Sequence, residues 1–353
     1  MKVGLCDRMA AGWLNEFKQA CSSLGFEHKI IAIGNDDWME QLKGLDVFIW
    51  RLVLSDPSGR AEADAKIPLI EEMGIACFPN RQMLWLYDDK IRETYFLRRH
   101  SCPVPKTWVF FESNSARDFI AKASFPLVAK SHCGASSSGV VILRSRKAAE
   151  TLLKRVFKGL SLWDKLLENY YYTPRLKKGD LLLQLRFRYR DSWPRYTYFQ
   201  EFVKTEKDWR ITTLGQNLVS VFARENRPDD FRASGSGIWQ RITEHEVPIE
   251  ACDLALAISK QQGFTSMTYD FMQHNGRWVI GELSYTFLLN AVYTETLFQR
   301  ENGSYKRVEP IPIGIMHLQA LTNHRAASAN STDPKPDLSA SPLGFKREPG
   351  ADQ

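Results

Sequence analysis

At 353 residues and 44% hydrophobic, the chain can bury a sizeable core in two or three domains, which excludes a disordered or fibrous protein. It has no apolar run of about eighteen residues, and Met1 to Asp7 reads as the start of a short strand. Neither a membrane span nor a secretory leader is therefore expected, and the expected location is cytoplasmic. The net charge of +6 permits an anionic partner without demanding one, and six scattered cysteines (Cys6, Cys21, Cys77, Cys102, Cys133, Cys252) without a Cys-x-x-Cys pair read as reduced core fillers.

In chain order, residues 2–6 predict a strand. A helix follows through Trp13, Phe17, Ala20 and Leu24, whose spacing of three and four makes one apolar stripe, and Gly25 ends it. Strands over 28–33 and 46–50 with a short helix at 38–42 give the alternation of an open parallel sheet. Ligands of such sheets sit beyond the carboxyl ends of the strands, which puts Asp7, Arg8 and Arg51 at a rim; Arg51 reads as an anion holder or as a plain surface arginine. A helix over 91–100 leads through Pro103 and Pro105 into an extended segment at 107–111, and 118–122 is helical. Residues 125–143 then carry strand, small-residue loop and strand. In the loop, Gly134, Ala135, Ser136, Ser137, Ser138 and Gly139 let backbone N–H groups approach an anion, and Lys130 stands at its entrance.

Segment 154–195 holds eleven Lys or Arg against four Asp or Glu, a surplus larger than the net charge of the whole chain, interleaved with Phe157, Trp163, Tyr170, Tyr171, Tyr172, Phe187, Tyr189 and Trp193. Such a mixture suits nucleic acid, a sugar polymer or an acidic membrane surface, or it is a solvated insertion with stacked aromatics. Strands over 198–203, 207–213 and 218–224 precede a second small-residue loop, Asp230 to Gly237, that carries Arg232. A helix over 250–262 ends at Gly263. From Thr322 the apolar period is lost, so 322–353 is expected to be a disordered tail.

The most informative stretch is Thr265 to Ser284, where two apolar runs flank His274-Asn275-Gly276, a hairpin signal. A two-residue loop would pair Asp270 with Gly281 and send Glu282 to the opposite face. A three-residue loop would pair Asp270 with Ile280 and Glu282 with Thr268, placing both carboxylates on one side and Met267, Tyr269, Phe271, Val279 and Leu283 on the other. The second register separates an acidic face from an apolar one and is the one expected. Two carboxylates held together suit Mg2+, which shares its oxygen ligands with substrate phosphates; two unrelated acids on an exposed strand are the alternative.

Taken in order, Asp89-Lys90, Val128-Ala-Lys130, the 134–139 loop, Gln200-Glu201-Phe202-Val203, Lys207-Asp208-Trp-Arg210, Asp230-Phe-Arg232, Asp270 and Glu282 resemble the ATP-grasp superfamily over about residues 1–320. The likeness is greatest to the group of ribosomal-protein glutamate ligases and glutathione synthetases, and Gly281 to Phe287 also looks like ATP-grasp proteins of bacterial cell-surface polysaccharide clusters. The resemblance implies an α/β and α+β chain: a pre-ATP-grasp open α/β domain (1–82), then the two-subdomain ATP-grasp fold. Its N-terminal subdomain would be 83–203 with the insertion 154–195, and its C-terminal subdomain, with the metal site, 204–321. It further implies that Lys90, Lys130 and the loop residues Gly134, Ser136, Ser137, Ser138 and Gly139 contact ATP phosphates. Glu201, Phe202 and Val203 would line the adenine pocket, Asp208 would lie near the ribose, and Arg210, Arg232 and Arg224 would hold the γ-phosphate and an acyl phosphate. Asp270 and Glu282 would bridge Mg2+, with Mn2+ as a substitute. The family has Asn where this chain has Ser284, a shorter and neutral third ligand that puts the second metal in question, with Asn290 as a substitute.

The implied activity is a carboxylate-amine ligase, with the insertion binding an acidic sugar or peptide rather than nucleic acid, and homo-oligomers are common among such proteins. A phosphotransferase acting on a hydroxyl and a nucleotide- or polyanion-binding module without turnover stay open.

Overall fold

The structure is a computed structural model that describes residues 1–53, 56–131, 139–158, 196–228, 230–231, 233, 236–287 and 296–330. The described residues divide into two units, the larger drawn from Met1–Val104 and Val203–Gln353 and the smaller from Pro105–Gly134 and Ser138–Phe202.

The larger unit opens with the expected parallel sheet. β1 (Lys2–Cys6), β2 (Glu27–Ile31), β3 (Val47–Ile49) and β4 (Ala76–Phe78) lie in the order β2-β1-β3-β4. The buried stripe of α1 (Trp13–Ser23), formed by Trp13, Phe17, Ala20 and Cys21, is the one its spacing predicts. Between α2 (Trp38–Leu42) and β4 the structure adds α3 (Pro57–Glu72), an element not among those expected from the sequence. Its signal was present: Ala63, Ile67 and Ile70 keep a helical spacing and are fully buried, and the Asp56 side chain caps the helix by accepting the Gly59 N–H at 3.0 Å. Cys6, Cys21, Cys77, Cys102 and Cys252 are buried free thiols, as expected; Cys133 lies outside the described residues. Burial pushes the Cys6 and Cys102 thiols up to about 12, which makes them inert.

Arg51 departs from both roles expected of it. Only 2% exposed, it donates to the Phe287 carbonyl at 2.6 Å and lies over the rings of Trp13 (4.7 Å) and Phe287 (5.2 Å), so it is neither a rim anion holder nor a surface arginine.

The second sheet of this unit is seven-stranded. β9 (Lys207–Leu214), β10 (Leu218–Glu225), β12 (Ser266–His274), β13 (Arg277–Ser284), β14 (Leu297–Glu301) and β15 (Ser304–Arg307) run in the order β13-β12-β9-β10-β14-β15, and β11 (Trp239–Gln240) pairs with β10. Every pairing is antiparallel. The hairpin β14-β15 turns on Asn302-Gly303, both with positive φ, a second Asn-Gly signal that the sequence reading passed over. The helix α8 (Ile249–Gln262) buries Ala251, Leu254, Ala255 and Ile258 and is closed by Gly263 at φ 68°.

α9 (Ile313–Asn330) carries helix well past Thr322, so 322–330 is not the disordered tail expected there; residues 331–353 lie outside the described residues. The helix is anchored at its start, where the Gly314 N–H donates to Glu16 Oε1 at 2.9 Å.

The smaller unit has a four-stranded sheet, β5 (Thr107–Phe110), β6 (Leu127–Lys130), β7 (Val140–Leu143) and β8 (Thr197–Glu201), in the order β5-β8-β6-β7. Among the described residues two helices, α6 (Ser113–Lys122) and α7 (Arg146–Lys158), accompany it, and Ala116, Ile120, Leu127, Leu143, Leu153 and Phe199 belong to its own core. The insertion beyond 158 lies outside the described residues.

A methyl group at Gly314 would stand 2.9 Å from the Glu16 carbonyl and 3.0 Å from the Ala20 Cβ. Since backbone cannot rotate away, Gly314→Ala is expected to cost about 1–3 kcal/mol in urea unfolding; an unchanged midpoint would show that α9 does not press on α1 in this way.

Candidate active site

The hairpin β12-β13 turns on two residues, Asn275 (φ 50°) and Gly276 (φ 73°), with His274 opposite Arg277, so the expected three-residue loop is wrong. Its consequence nevertheless holds, by another route. The register shifts between Asp270 and Phe271: Phe271 faces Ile280, Asp270 faces Glu282, and Gly281 is the extra residue of a bulge. The two carboxylates therefore lie directly opposite each other. The bulge also corrects the apolar face, where Ile280 takes the place assigned to Val279, and Val279 instead pairs with Met272. Glycine suits the bulge, because a side chain at 281 would meet the Met272 methyl at 2.9 Å.

Pairing across four strands extends this face into three rows. Glu282, Asp270, Arg210 and Phe222 lie in line; beside them run Asp208, Arg224 and Trp239. On the other side come Ser284, Thr268, Thr212 and Ser220. The third row is a buried hydroxyl ladder, with Thr212 and Thr268 hydrogen-bonded at 2.8 Å and Ser220 bonded to Thr296 at 2.9 Å. Hydroxyls and charges thus occupy most of a face that would be apolar in an ordinary sheet, with Phe222 and Trp239 at its far end, and the charged groups and the Thr212–Thr268 pair bond to one another within it.

Asp270, 8% exposed, is the centre of the charged rows. Arg210 grips it with Nε at 2.8 Å and Nη2 at 2.9 Å, and Arg224 Nη2 reaches Asp270 Oδ2 at 2.7 Å. Arg224 also binds Asp208 through Nε and Nη2, both at 2.7 Å. Burial alone would raise the Asp270 carboxyl, but the two guanidiniums outweigh it and hold Asp270 well below the usual carboxylate range. Asp208 goes the other way: burial and the negative charge of Asp270 outweigh Arg224 and push it up to about 6. Burial would lower Arg224, and the charges of Asp270 and Asp208 reverse that and raise it.

Lys90, 5% exposed, stands 3.8 Å from Glu282, whose side chain is 40% exposed. It occupies the first turn of α5 (Lys90–Arg99), which follows α4 (Arg81–Leu86) and which Asp89 caps by accepting the Ile91 and Arg92 N–H groups at 3.1 and 3.0 Å. One helical turn on, buried Glu93 accepts the Leu283 N–H at 3.3 Å, so the same helix grips β13 at 282 and at 283. Glu93 escaped the sequence reading; its signal was a carboxylate three residues from a capped lysine. Ser284 Oγ accepts the Thr286 N–H at 3.1 Å and shares a hydrogen bond with the Thr286 hydroxyl at 2.9 Å.

In the smaller unit, Lys130 ends β6 with its ammonium 6.0 Å from the Tyr198 ring centre. Gly139, at φ 75°, returns its carbonyl to the Ser131 N–H at 2.9 Å, and a side chain there would collide with the Ser131 hydroxyl. Glu201 Oε1 accepts the Lys106 N–H at 2.7 Å. Phe202 follows β8, and Val203, in the larger unit, is nearly buried. Gly134, Ser136, Ser137, Ser138, Arg232 and Asn290 lie outside the described residues. The structure thus brings Asp208, Arg210, Arg224, Asp270, Glu282 and Lys90 together in one set. Among the described residues no third His, Cys, Asp or Glu joins a carboxylate pair at metal-binding distance, and no helix is long and apolar enough to cross a membrane.

Residues 87–171 match the model of the RimK-like ATP-grasp domain. A probable alpha-L-glutamate ligase of Coxiella burnetii (strain Dugway 5J108-111) is 27% identical over 196 residues, covering 53% of this chain and 54% of that protein. The chain thus spans about half the length of the curated relatives it matches first. Among solved structures, the N5-carboxyaminoimidazole ribonucleotide synthetase purK in its ADP complex aligns with a TM-score of 0.58 at 15% identity, over 91% of this chain and 77% of that one. D-cycloserine synthetase DcsG aligns with a TM-score of 0.57 at 15% identity, over 92% and 100%. Residues 87–171 thus resemble the RimK-like ATP-grasp domain, and the chain shares the fold of these two synthetases.

Proposed function

We propose that the chain is an ATP-dependent carboxylate-amine ligase, forming an amide through an acyl phosphate and releasing ADP and phosphate. The observation that carries this reading is the pair of opposed carboxylates, Asp270 and Glu282, set among three buried or half-buried cations, Arg210 and Arg224 of the same sheet face and Lys90 of α5. Phosphoryl transfer asks little covalent chemistry of a protein; it needs cations fixed where charge develops on oxygen. The name of the curated relative, a probable alpha-L-glutamate ligase, supports the same reaction class.

The pair also fits Mg2+, an ion that takes one or two carboxylates and completes its shell with phosphate oxygens and water. When bound it would neutralise charge on the phosphates, and Mn2+ would substitute. Asp270 and Glu282 would hold it. Ser284, already engaged with Thr286, would reach it through water. In this reading Lys90, Lys130 and the 134–139 loop contact the phosphates, and Glu201, Phe202 and Val203 line the adenine pocket. Arg210 and Arg224, with Arg232, steady the transferred phosphoryl group. A substrate carboxylate oxygen attacks the γ-phosphorus and ADP leaves. An amine then attacks the acyl carbon, and inorganic phosphate departs with the bonding pair. The carboxylate donor is proposed to be an acidic sugar or peptide, with the basic insertion 154–195 attracting it.

ADP and phosphate release from Mg-ATP should require both an acid and an amine from a pooled set of carboxylates and amino acids, and should be lost in Lys130→Ala. Release that needs a hydroxyl compound but no amine would instead identify a phosphotransferase. Asp270→Asn and Glu282→Gln are each expected to lower turnover by about 10²–10³-fold, and full activity in both would remove the metal assignment. Deleting Gly281 would take out the bulge and leave Ile280 opposite Phe271 and Glu282 opposite Asp270, because the bulge adds one unpaired residue between those pairs. The deletion variant should therefore keep nucleotide-dependent Mn2+ binding, measured by electron paramagnetic resonance; loss of that binding with unchanged circular dichroism would show that the opposed carboxylates alone do not make the site.

A further inference from the structure

The resemblance places Asp208 near the ribose, but its contacts give it other work. Both of its oxygens accept from Arg224, Nε and Nη2 each at 2.7 Å, and the two residues are direct partners across β9 and β10. A guanidinium held by two parallel hydrogen bonds has its plane fixed as well as its position. Arg224 is 7% exposed, so water cannot do this orienting. Its second acidic contact is weaker as a guide: Asp270 takes only Nη2, the nitrogen already shared with Asp208, and is itself gripped on both oxygens by Arg210.

We propose that Asp208 is a positioning residue that aims the Arg224 guanidinium along the site face, and not a ligand of the ribose. The inference rests on the nucleotide-binding reading above. If Asp270 serves a metal, Asp208 is the partner that keeps Arg224 in place when its contact with Asp270 is given up. A carboxylate whose two oxygens each accept a charged N–H at 2.7 Å is also a poorer acceptor for a neutral ribose hydroxyl, because charge-assisted donors are the stronger competitors.

The two roles predict different ligand dependences, measurable by calorimetric titration of the full chain with Mg2+. The ligands are AMP-PNP, ADP, and ATP against 2′,3′-dideoxy-ATP without acceptor substrates. If Asp208 aims Arg224 at the terminal phosphate, Asp208→Asn weakens AMP-PNP at least about tenfold and leaves ADP within about threefold. The penalty for removing the ribose hydroxyls is then the same in wild type and variant, as expected for independent sites. Asp208→Glu, which keeps the charge, should recover part of the AMP-PNP affinity. Arg224→Lys, which keeps the Asp208 partner but loses the fork, should show the same terminal-phosphate-selective loss and gives a second route should Asp208→Asn fold poorly.

A loss shared equally by ADP and AMP-PNP, with the dideoxy penalty abolished in Asp208→Asn, would make Asp208 a ribose ligand and overturn the proposal. Unchanged affinity for every nucleotide would overturn it too. If the wild-type chain binds no nucleotide, the functional reading fails and this inference with it, whereas normal wild-type binding with a uniform loss in the variants removes the inference alone.

Discussion

Everything on the charged sheet face depends on how the charge of Asp270 is balanced. A carboxylate this deeply buried would ordinarily be protonated, and it stays ionised because three N–H groups from Arg210 and Arg224 converge on its two oxygens. Removing either partner of a buried pair leaves an uncompensated charge, which typically costs about 3–5 kcal/mol. The balance is set by strand register. Asp270 lies opposite Arg210 on one side and Glu282 on the other, so a slip of one residue in β9 or β12 would send a charged side chain into the apolar layer built on Ile211, Tyr269 and Phe271. Charge pairing and hydrophobic burial thus select the same register, and each penalises the alternative the other would allow.

The hydroxyl row beside the charges follows from the same constraint. Thr268 and Thr212 share a face with Asp270 and Arg210, where aliphatic side chains would leave the charged row beside a low-dielectric wall. Hydroxyls that bond to one another provide polarity without adding charge. From the other edge, α5 fixes β13 at consecutive residues, with Lys90 near the Glu282 side chain and Glu93 on the Leu283 backbone. The Asp89 cap matters because it sets where α5 begins, and Lys90 is the first residue inside it.

Much of this could be read from the residues. The order of motifs identified the fold, and the demand that two carboxylates share a face was correct even though the loop length used to satisfy it was not. A bulge escapes pattern reading because it adds a residue without altering composition; Gly281 inside a strand pattern was its visible sign. The partners of Arg51 could not be foreseen, since Phe287 is remote in sequence and the arginine's neighbours depend on how the chain folds back. The same holds for Arg224 and Asp208, whose pairing follows from the register of a hairpin whose turn, Gly215 to Asn217, carries no strong loop-length signal. Thr322 to Asn330 was misjudged because its residues lack an apolar period, and helical propensity with an anchored start carries the helix further than periodicity alone suggests.

The charge total of the described face bears on how it could attract a polyphosphate. Asp208, Asp270 and Glu282 match Arg210, Arg224 and Lys90 one for one, so the six groups sum to zero and exert little field at a distance. Such a set can reorganise around an incoming anion and cation at low electrostatic cost, since partners exchange within it and no isolated charge is left behind. It cannot by itself draw a highly charged anion from solution. That long-range pull needs a surplus of positive charge, and the sequence concentrates one in 154–195. On the proposed reading, attraction by an excess of charge and alignment by a balanced, buried network are separate tasks, which a single cationic cleft would have to combine.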